Sequence, residues 1–191
     1  MHTPEVINEV MHRRRSIYPY QYEPGASVDD GIVRQILENA NTAPNHKKTM
    51  PWRFTVFNGD GRKKFAELQS SLYIKHHGTQ NQVKIKKLED YPLMASHIIA
   101  IGLKRHADRL PEIEEVLAVG CAIQNMFLTA TAYNLGCYLS TGGVTYIDEA
   151  KAYFHLEPED KLIGFFYIGK IKDAPKEMLR TPVDEKITFI S

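Results

Sequence analysis

Val6, Ile7, Val10 and Met11 follow the i, i+1, i+4, i+5 spacing of one helical face, so residues 4–14 predict a helix packed on a core and ending in arginines. "SVDD" at 27–30 has the Ser-x-x-acid form of a capping box. Ile32, Val33, Ile36, Leu37 and Ala40 then repeat at helical spacing. Pro44 and Pro51 stop this second helix and keep "APNHKKTMPW" (43–52) irregular. "WRFTVF" alternates and predicts a strand, closed by the turn "NGDG" at 58–61, and a helix from about Arg62 to Lys75 follows on Phe65, Leu68 and Leu72. The basic, polar "KHHGTQNQVKIKKLED" predicts a flap or mobile insertion.

"HIIAIGL" at 97–103 suits a strand buried on both faces. Residues 112–135 form the longest periodic element, apolar nearly all round from Val116 to Tyr133, which places it at the centre or at a subunit interface, with Gly136 as its C-terminal cap. "CYLS" and "LIGFFYIG" predict two more strands, with "TGG" and a short helix near 148–154 between them. A loop holding "LRTPVDEK" leads to a strand-like "ITFI". There is no internal repeat and no low-complexity linker. The order of elements predicts a mixed domain in which helices cover a small sheet. Alternation is too irregular for a doubly wound nucleotide fold, and neither a dinucleotide fingerprint nor a P-loop is present.

A chain of 191 residues suits one domain spanning 1–191, or a homo-oligomer whose protomers share a core. Composition is that of a globular protein, 43% apolar and 25% charged, and no apolar run is expected to reach the roughly 20 residues that cross a bilayer. "MHTPEVINEV" carries a proline and two glutamates where a secretory leader would be basic and apolar, so a cytoplasmic location is expected. Cys121 and Cys137 have neither the number nor the spacing of a disulfide framework or a zinc site and read as buried thiols. A net charge of +1 gives no support to general nucleic-acid binding, so the basic clusters need local explanations.

Two such clusters carry candidate chemistry. Arg14, Arg15 and Ser16 could hold a phosphate through charge-assisted hydrogen bonds and a short hydroxyl, or be a solvated helix end favoured by the macrodipole. Asn45 and His46 sit between a helix and a strand, where a polar turn and a functional loop look alike. Elsewhere the bland reading leads: His76 and His77 are solvated, "KIKK" is a charged face and Trp52 packs in the core.

Taken together, "RRRSI", "ILENANTAPNHKKTMPWRFTVF", "VGCAIQNMFLTATAYNLG", "LIGFFYIGK" and "RTPVDE" resemble the nitroreductase family of flavin mononucleotide (FMN) enzymes over nearly the whole chain, and "APNHKKTMPW" is most similar to its shorter, single-domain members. The resemblance implies an α+β fold, a three-layer α/β/α sandwich with a small, mainly antiparallel mixed sheet and a long central helix. It implies an obligate homodimer with two FMN molecules at the interface, each touched by both chains. By match, Arg14, Arg15, Ser16 and Arg180 hold the phosphate and ribityl chain. Asn45 and His46 lie beside the ring, with Met50 where a glutamine is frequent, and Leu139, Ser140, Thr141, Gly142 and Gly143 pass its other side. The activity implied is hydride transfer from NADH or NADPH through flavin N5 to a small electron-poor acceptor such as a nitroaromatic or quinone, with no catalytic side chain, no metal and no nucleic-acid or membrane partner. A flavin-binding sensor or store is the alternative. Tyr18 and Met178 depart from the family's basic residues, and Lys47 or Arg53 is the expected substitute for the lost charge.

Overall fold

The structure, a computed structural model, describes residues 2–173, 175 and 179–190. Its helices are α1 (Thr3–Arg13), α2 (Asp30–Ala40), α3 (Gly61–His77), α4 (Gln82–Met94), α5 (Glu112–Ala132) and α6 (Asp148–Lys151), and its strands are β1 (Trp52–Phe57), β2 (His97–Leu103), β3 (Leu135–Ser140) and β4 (Lys161–Lys170). The strands form one sheet in the order β1-β2-β4-β3 with antiparallel neighbours throughout, and a lone parallel bridge joins Ser16 to Cys137.

Period-two alternation in the central strands divides the core into two layers. Ile99, Ile101 and Leu103 of β2, with Phe166 and Ile168 of β4, face α2 and α5. Ile98 and Ala100, with Phe165 and Tyr167, face α3, α6 and the segments around them. This is the three-layer arrangement the resemblance implied.

Several local expectations are corrected. The cap of α2 is Asp29, whose carboxylate accepts from Gly31 N, and not Ser27. The expected flap is helical: α3 runs on to His77, Gly78 turns the chain at φ 73°, and α4 packs Ile85, Leu88 and Pro92 into the core. Gly136 lies inside β3; α5 ends at Ala132, and Asn134 takes the left-handed conformation at φ 55°. Cys137 is buried, but Cys121 is exposed. Ile187–Ile190 joins no strand, and Phe189 and Ile190 are fully exposed. By length and composition α5 is apolar enough to cross a membrane, contrary to expectation. One face of it, including Ala118, Ala122, Met126 and Ala130, is nonetheless buried in the core. The helical face expected of residues 4–14 forms, yet α1 buries no residue; Val6, Ile7 and Met11 are 42–50% exposed.

Glycine is required where the N-terminal segment crosses the sheet. A Cβ on Gly169 would lie 2.4 Å from the Tyr22 ring and one on Gly136 2.9 Å from it. Tyr22 fills that space, donating its hydroxyl to Tyr167 O at 3.2 Å and bridging to Ile171.

Two polar clusters, each built around a buried side chain, pin helices to strands. The fully buried carboxylate of Glu115 pairs with Arg105, accepts from His106 N at 3.3 Å and meets His106 Nδ1 at 2.7 Å. Asp160 accepts from Arg105 N at 2.8 Å and from Glu157 N at 3.0 Å. At the other end of β2 the buried His97 ring donates from Nε2 to Asp30 at 2.9 Å and meets Ser96 Oγ at 3.0 Å. Ser96 Oγ also accepts from Val28 N. The bond from His97, reinforced by Asn58, holds the Asp30 carboxyl below its usual range. A carboxylate whose folded pKa lies below its unfolded value contributes stability above about pH 4 and loses it as pH falls through the folded value. Urea midpoints followed downward from about pH 5 should therefore fall less steeply for Asp30→Asn than for the parent.

Candidate functional site

The chain leaves α1 at Arg14 in an extended conformation, and Ile17 N donates to Cys137 O at 2.8 Å. This hangs the arginine run on the edge of β3 and divides its roles. Arg13 is structural, donating to Glu9 at 3.0 Å, Thr131 O at 3.0 Å and Asn134 Oδ1 at 2.6 Å. Arg15 turns back on the carbonyls of His12 and Arg14. Arg14 lies over the Phe127 ring, 5.5 Å from its centroid. Burial, then Arg180, then Arg15 pull the Arg14 pKa down, and no carboxylate of the described residues offsets them. Arg15 and Arg180, from opposite ends of the chain, thus lie near enough to Arg14 for their charges to act on it, and with the exposed Ser16 they are donor types suited to a phosphate.

Farther along β3, Leu139 and Ser140 lead into the loop of Thr141, Gly142 and Gly143. Gly164 in β4 admits this edge, since a Cβ there would stand 2.7 Å from Ser140 O. Gly143 turns the loop at φ 73°, and Thr145 Oγ1 donates to Gly142 O at 3.0 Å. Lys84 of α4 reaches the same loop: a Cβ on Gly142 would lie 3.5 Å from its Nζ. Burial, with Lys87 adding, lowers its pKa. Lys84 was missed in the sequence because its surroundings read as a flap. The available signal was Asn81, whose side chain caps α4 by accepting from Lys84 N at 2.9 Å. Tyr18 stands between the two groups, its ring 4.6 Å from that of Tyr138.

Asn45, His46 and Met50 lie elsewhere. Asn45 Oδ1 accepts from Met50 N at 3.0 Å, and His46 Nδ1 meets Glu114 of α5 at 2.5 Å. Lys47 Nζ donates to Arg109 O at 2.8 Å, while Arg53 donates to Met50 O and Trp52 O. Within the chain, both expected substitute cations lie on the β1 side with Asn45 and His46, away from the Ser140 loop. Met178 falls outside the described residues. Glu114 and Phe127 sit near opposite ends of α5, about 20 Å apart along its axis. This segment leads into β1, one edge of the sheet, while Arg14 and Ser140 lie at β3, the other edge, about 14 Å across. The chain therefore brings Arg14, Arg15, Ser16 and Arg180 together, and beside them Leu139–Gly143, but not Asn45, His46 and Met50.

The sequence profile of the nitroreductase family matches residues 11–170. The chain belongs to the nitroreductase family. Among its relatives, the Escherichia coli (strain K12) protein named "Putative NAD(P)H nitroreductase YdjA" is 30% identical over 138 residues, 72% of this chain and 74% of its own. A nitroreductase-like family protein from Bacillus cereus, 27% identical, superposes with a TM-score of 0.86 over 100% of this chain and 98% of its own. The FMN-dependent nitroreductase NfnB from Mycobacterium smegmatis, solved with NADPH, shares the fold at a TM-score of 0.78 and 17% identity, covering 100% of both chains. This nitroreductase-family protein is accordingly an oxidoreductase, and the cofactors in those names are the ones the resemblance implied.

Proposed function

We propose that the protein is a cytoplasmic, single-domain, FMN-dependent oxidoreductase that takes hydride from NADH or NADPH and reduces a small electron-poor acceptor such as a nitroaromatic or quinone. The observation that carries this reading is Arg14 seated over Phe127, with the charges of Arg180 and Arg15 acting on it, beside Ser16 at the end of β3 away from the glycine loop. Arg14, Arg15, Arg180 and Ser16 would bind the phosphate. Leu139–Gly143 would line the ring, and Lys84 would place the positive charge that Tyr18 cannot supply. Bound there, FMN supplies the hydride-accepting centre at N5.

The separation of Asn45, His46 and Met50 from the arginines supports a homodimer, in which a second copy brings its own 45–50 segment to complete the site. The exposed apolar residues agree with this. Val6, Ile7 and Met11 of α1 are uncovered, Ile113 and Leu117 of α5 are each 61% exposed, and the Ile187–Ile190 tail is apolar.

The test is the absorbance spectrum of the purified protein with added FMN, run beside sedimentation. Bands near about 370 and 450 nm that bleach on anaerobic NADH or NADPH addition, on a particle of twice the chain mass, are expected. Bound flavin that does not bleach would favour a sensor or store, and a monomer binding no FMN would sink the reading. Lys84→Gln should weaken reduced FMN relative to oxidised FMN by about tenfold, or ~1.4 kcal/mol, because the reduced ring carries the extra negative charge. Redox titration of the two proteins measures it as a lowered midpoint potential.

A further inference from the structure

The segment between α2 and β1 is strained. Lys47, Lys48 and Met50 stand at φ 51°, 53° and 44°, left-handed conformations that side chains disfavour by about 1–3 kcal/mol each. Such strain persists only where surrounding contacts over-determine it. Here they do: Asn45 Oδ1 holds Met50 N, Lys47 Nζ holds Arg109 O, Arg109 reaches back to Lys47 O at 3.5 Å, and Glu114 holds His46. The product is one imidazole aimed by one carboxylate. Glu114 lies in the first turn of α5, where the helix dipole favours its anion, so it accepts from Nδ1–H. His46 is 58% exposed in its side chain, and Nε2 is the nitrogen left for another partner. The charged groups around the pair are Glu114 itself, Lys47, Lys48 and Arg109.

Resting on the FMN and homodimer readings above, in which a second copy brings its own 45–50 segment to the site, we infer that His46 delivers the proton that accompanies hydride transfer to the acceptor, with Glu114 as the residue that positions it. A quinone that gains a hydride from reduced flavin becomes a hydroquinone monoanion, and the flavin is oxidised. With Nδ1–H held by Glu114, the ring that donates is the imidazolium: the anionic oxygen takes its Nε2 proton, that N–H bond breaks as the O–H bond forms, the ring is left neutral with Nδ1–H on Glu114, and a solvent proton restores the imidazolium. Glu114 keeps the ring oriented with Nδ1–H inward and Nε2 outward, toward the acceptor.

The experiment compares FMN-loaded parent, His46→Asn, Glu114→Gln and Glu114→Asp with p-benzoquinone, whose product gains protons, and with ferricyanide, which takes one electron and no proton. Saturating NADPH or NADH is the donor. The benzoquinone kcat of His46→Asn should fall about 100-fold more than its ferricyanide kcat, general-acid contributions being typically 10²–10⁴. Glu114→Gln should show the same imbalance in smaller degree, and Glu114→Asp should recover most of it. Separately, nitrogen NMR of histidine-labelled protein without flavin or acceptor should show His46 Nδ1 protonated in the parent and the Nδ1–H population reduced in Glu114→Gln. Equal slowing with both acceptors, no slowing, or an unchanged His46 signal in Glu114→Gln overturns the inference while leaving the flavin reading intact. Failure of the parent to bind FMN or reduce ferricyanide overturns both.

Discussion

Replacing Arg14 and Arg15 together with alanine is expected to weaken FMN binding by about 10²–10⁴-fold, since two charge-assisted hydrogen bonds are worth about 1.5–3 kcal/mol each. Flavin fluorescence titration measures it. The fold should survive, because Arg15 bonds only carbonyls of its own segment and the positive charge of Arg14 is opposed by its neighbours rather than paired. Arg13→Ala is the informative contrast. It removes the contacts to Thr131 and Asn134 that fasten α1 to the end of α5, and the pair with Glu9 within α1, so it should lower stability and leave FMN affinity within about threefold. If the double variant binds FMN like the parent, the arginines are a solvated helix end after all.

Glu115→Leu should cost about 3–5 kcal/mol of stability, because it leaves Arg105, whose side chain is only 9% exposed, with only the long 3.9 Å pair to Glu112. Backbone His106 N loses an acceptor at the same time. Thermal unfolding should shift down by about 6–20 °C for a chain of this size. Removing the partner as well, in Arg105→Met with Glu115→Leu, should return much of the loss, since a buried pair replaced by apolar groups is often nearly neutral. A double variant no better than the single would mean that the cluster matters for its hydrogen bonds to the backbone more than for its charge.

Elements whose apolar period matches their burial could be read directly. β2 is an uninterrupted apolar run because both of its faces meet helices, and α2 shows its stripe because only one of its faces does. α4 was illegible because Ile85 and Leu88 are its only buried apolar side chains before Pro92, too few to stand out among lysines. Gly136 looked like a helix cap, but its lack of a side chain answers to the Tyr22 ring, a neighbour far away in sequence. The candidate phosphate residues were visible as a motif, whereas Lys84 and Glu114 owe their importance to tertiary placement. The expected strand at "ITFI" pairs with no strand among the described residues.

The wedge of Tyr22 between Gly136 and Gly169 also orders events during synthesis. Its hydroxyl bonds a carbonyl 145 residues later, and the bridges to Cys137 and Ile171 likewise join the start of the chain to strands made near its end. Closing so long a loop is entropically costly until the strands that reward it exist. The segment carrying Arg14 to Ser16 therefore has nothing to dock on while the ribosome is still producing α5, and the nascent chain assembles this arginine corner only once β4 has emerged.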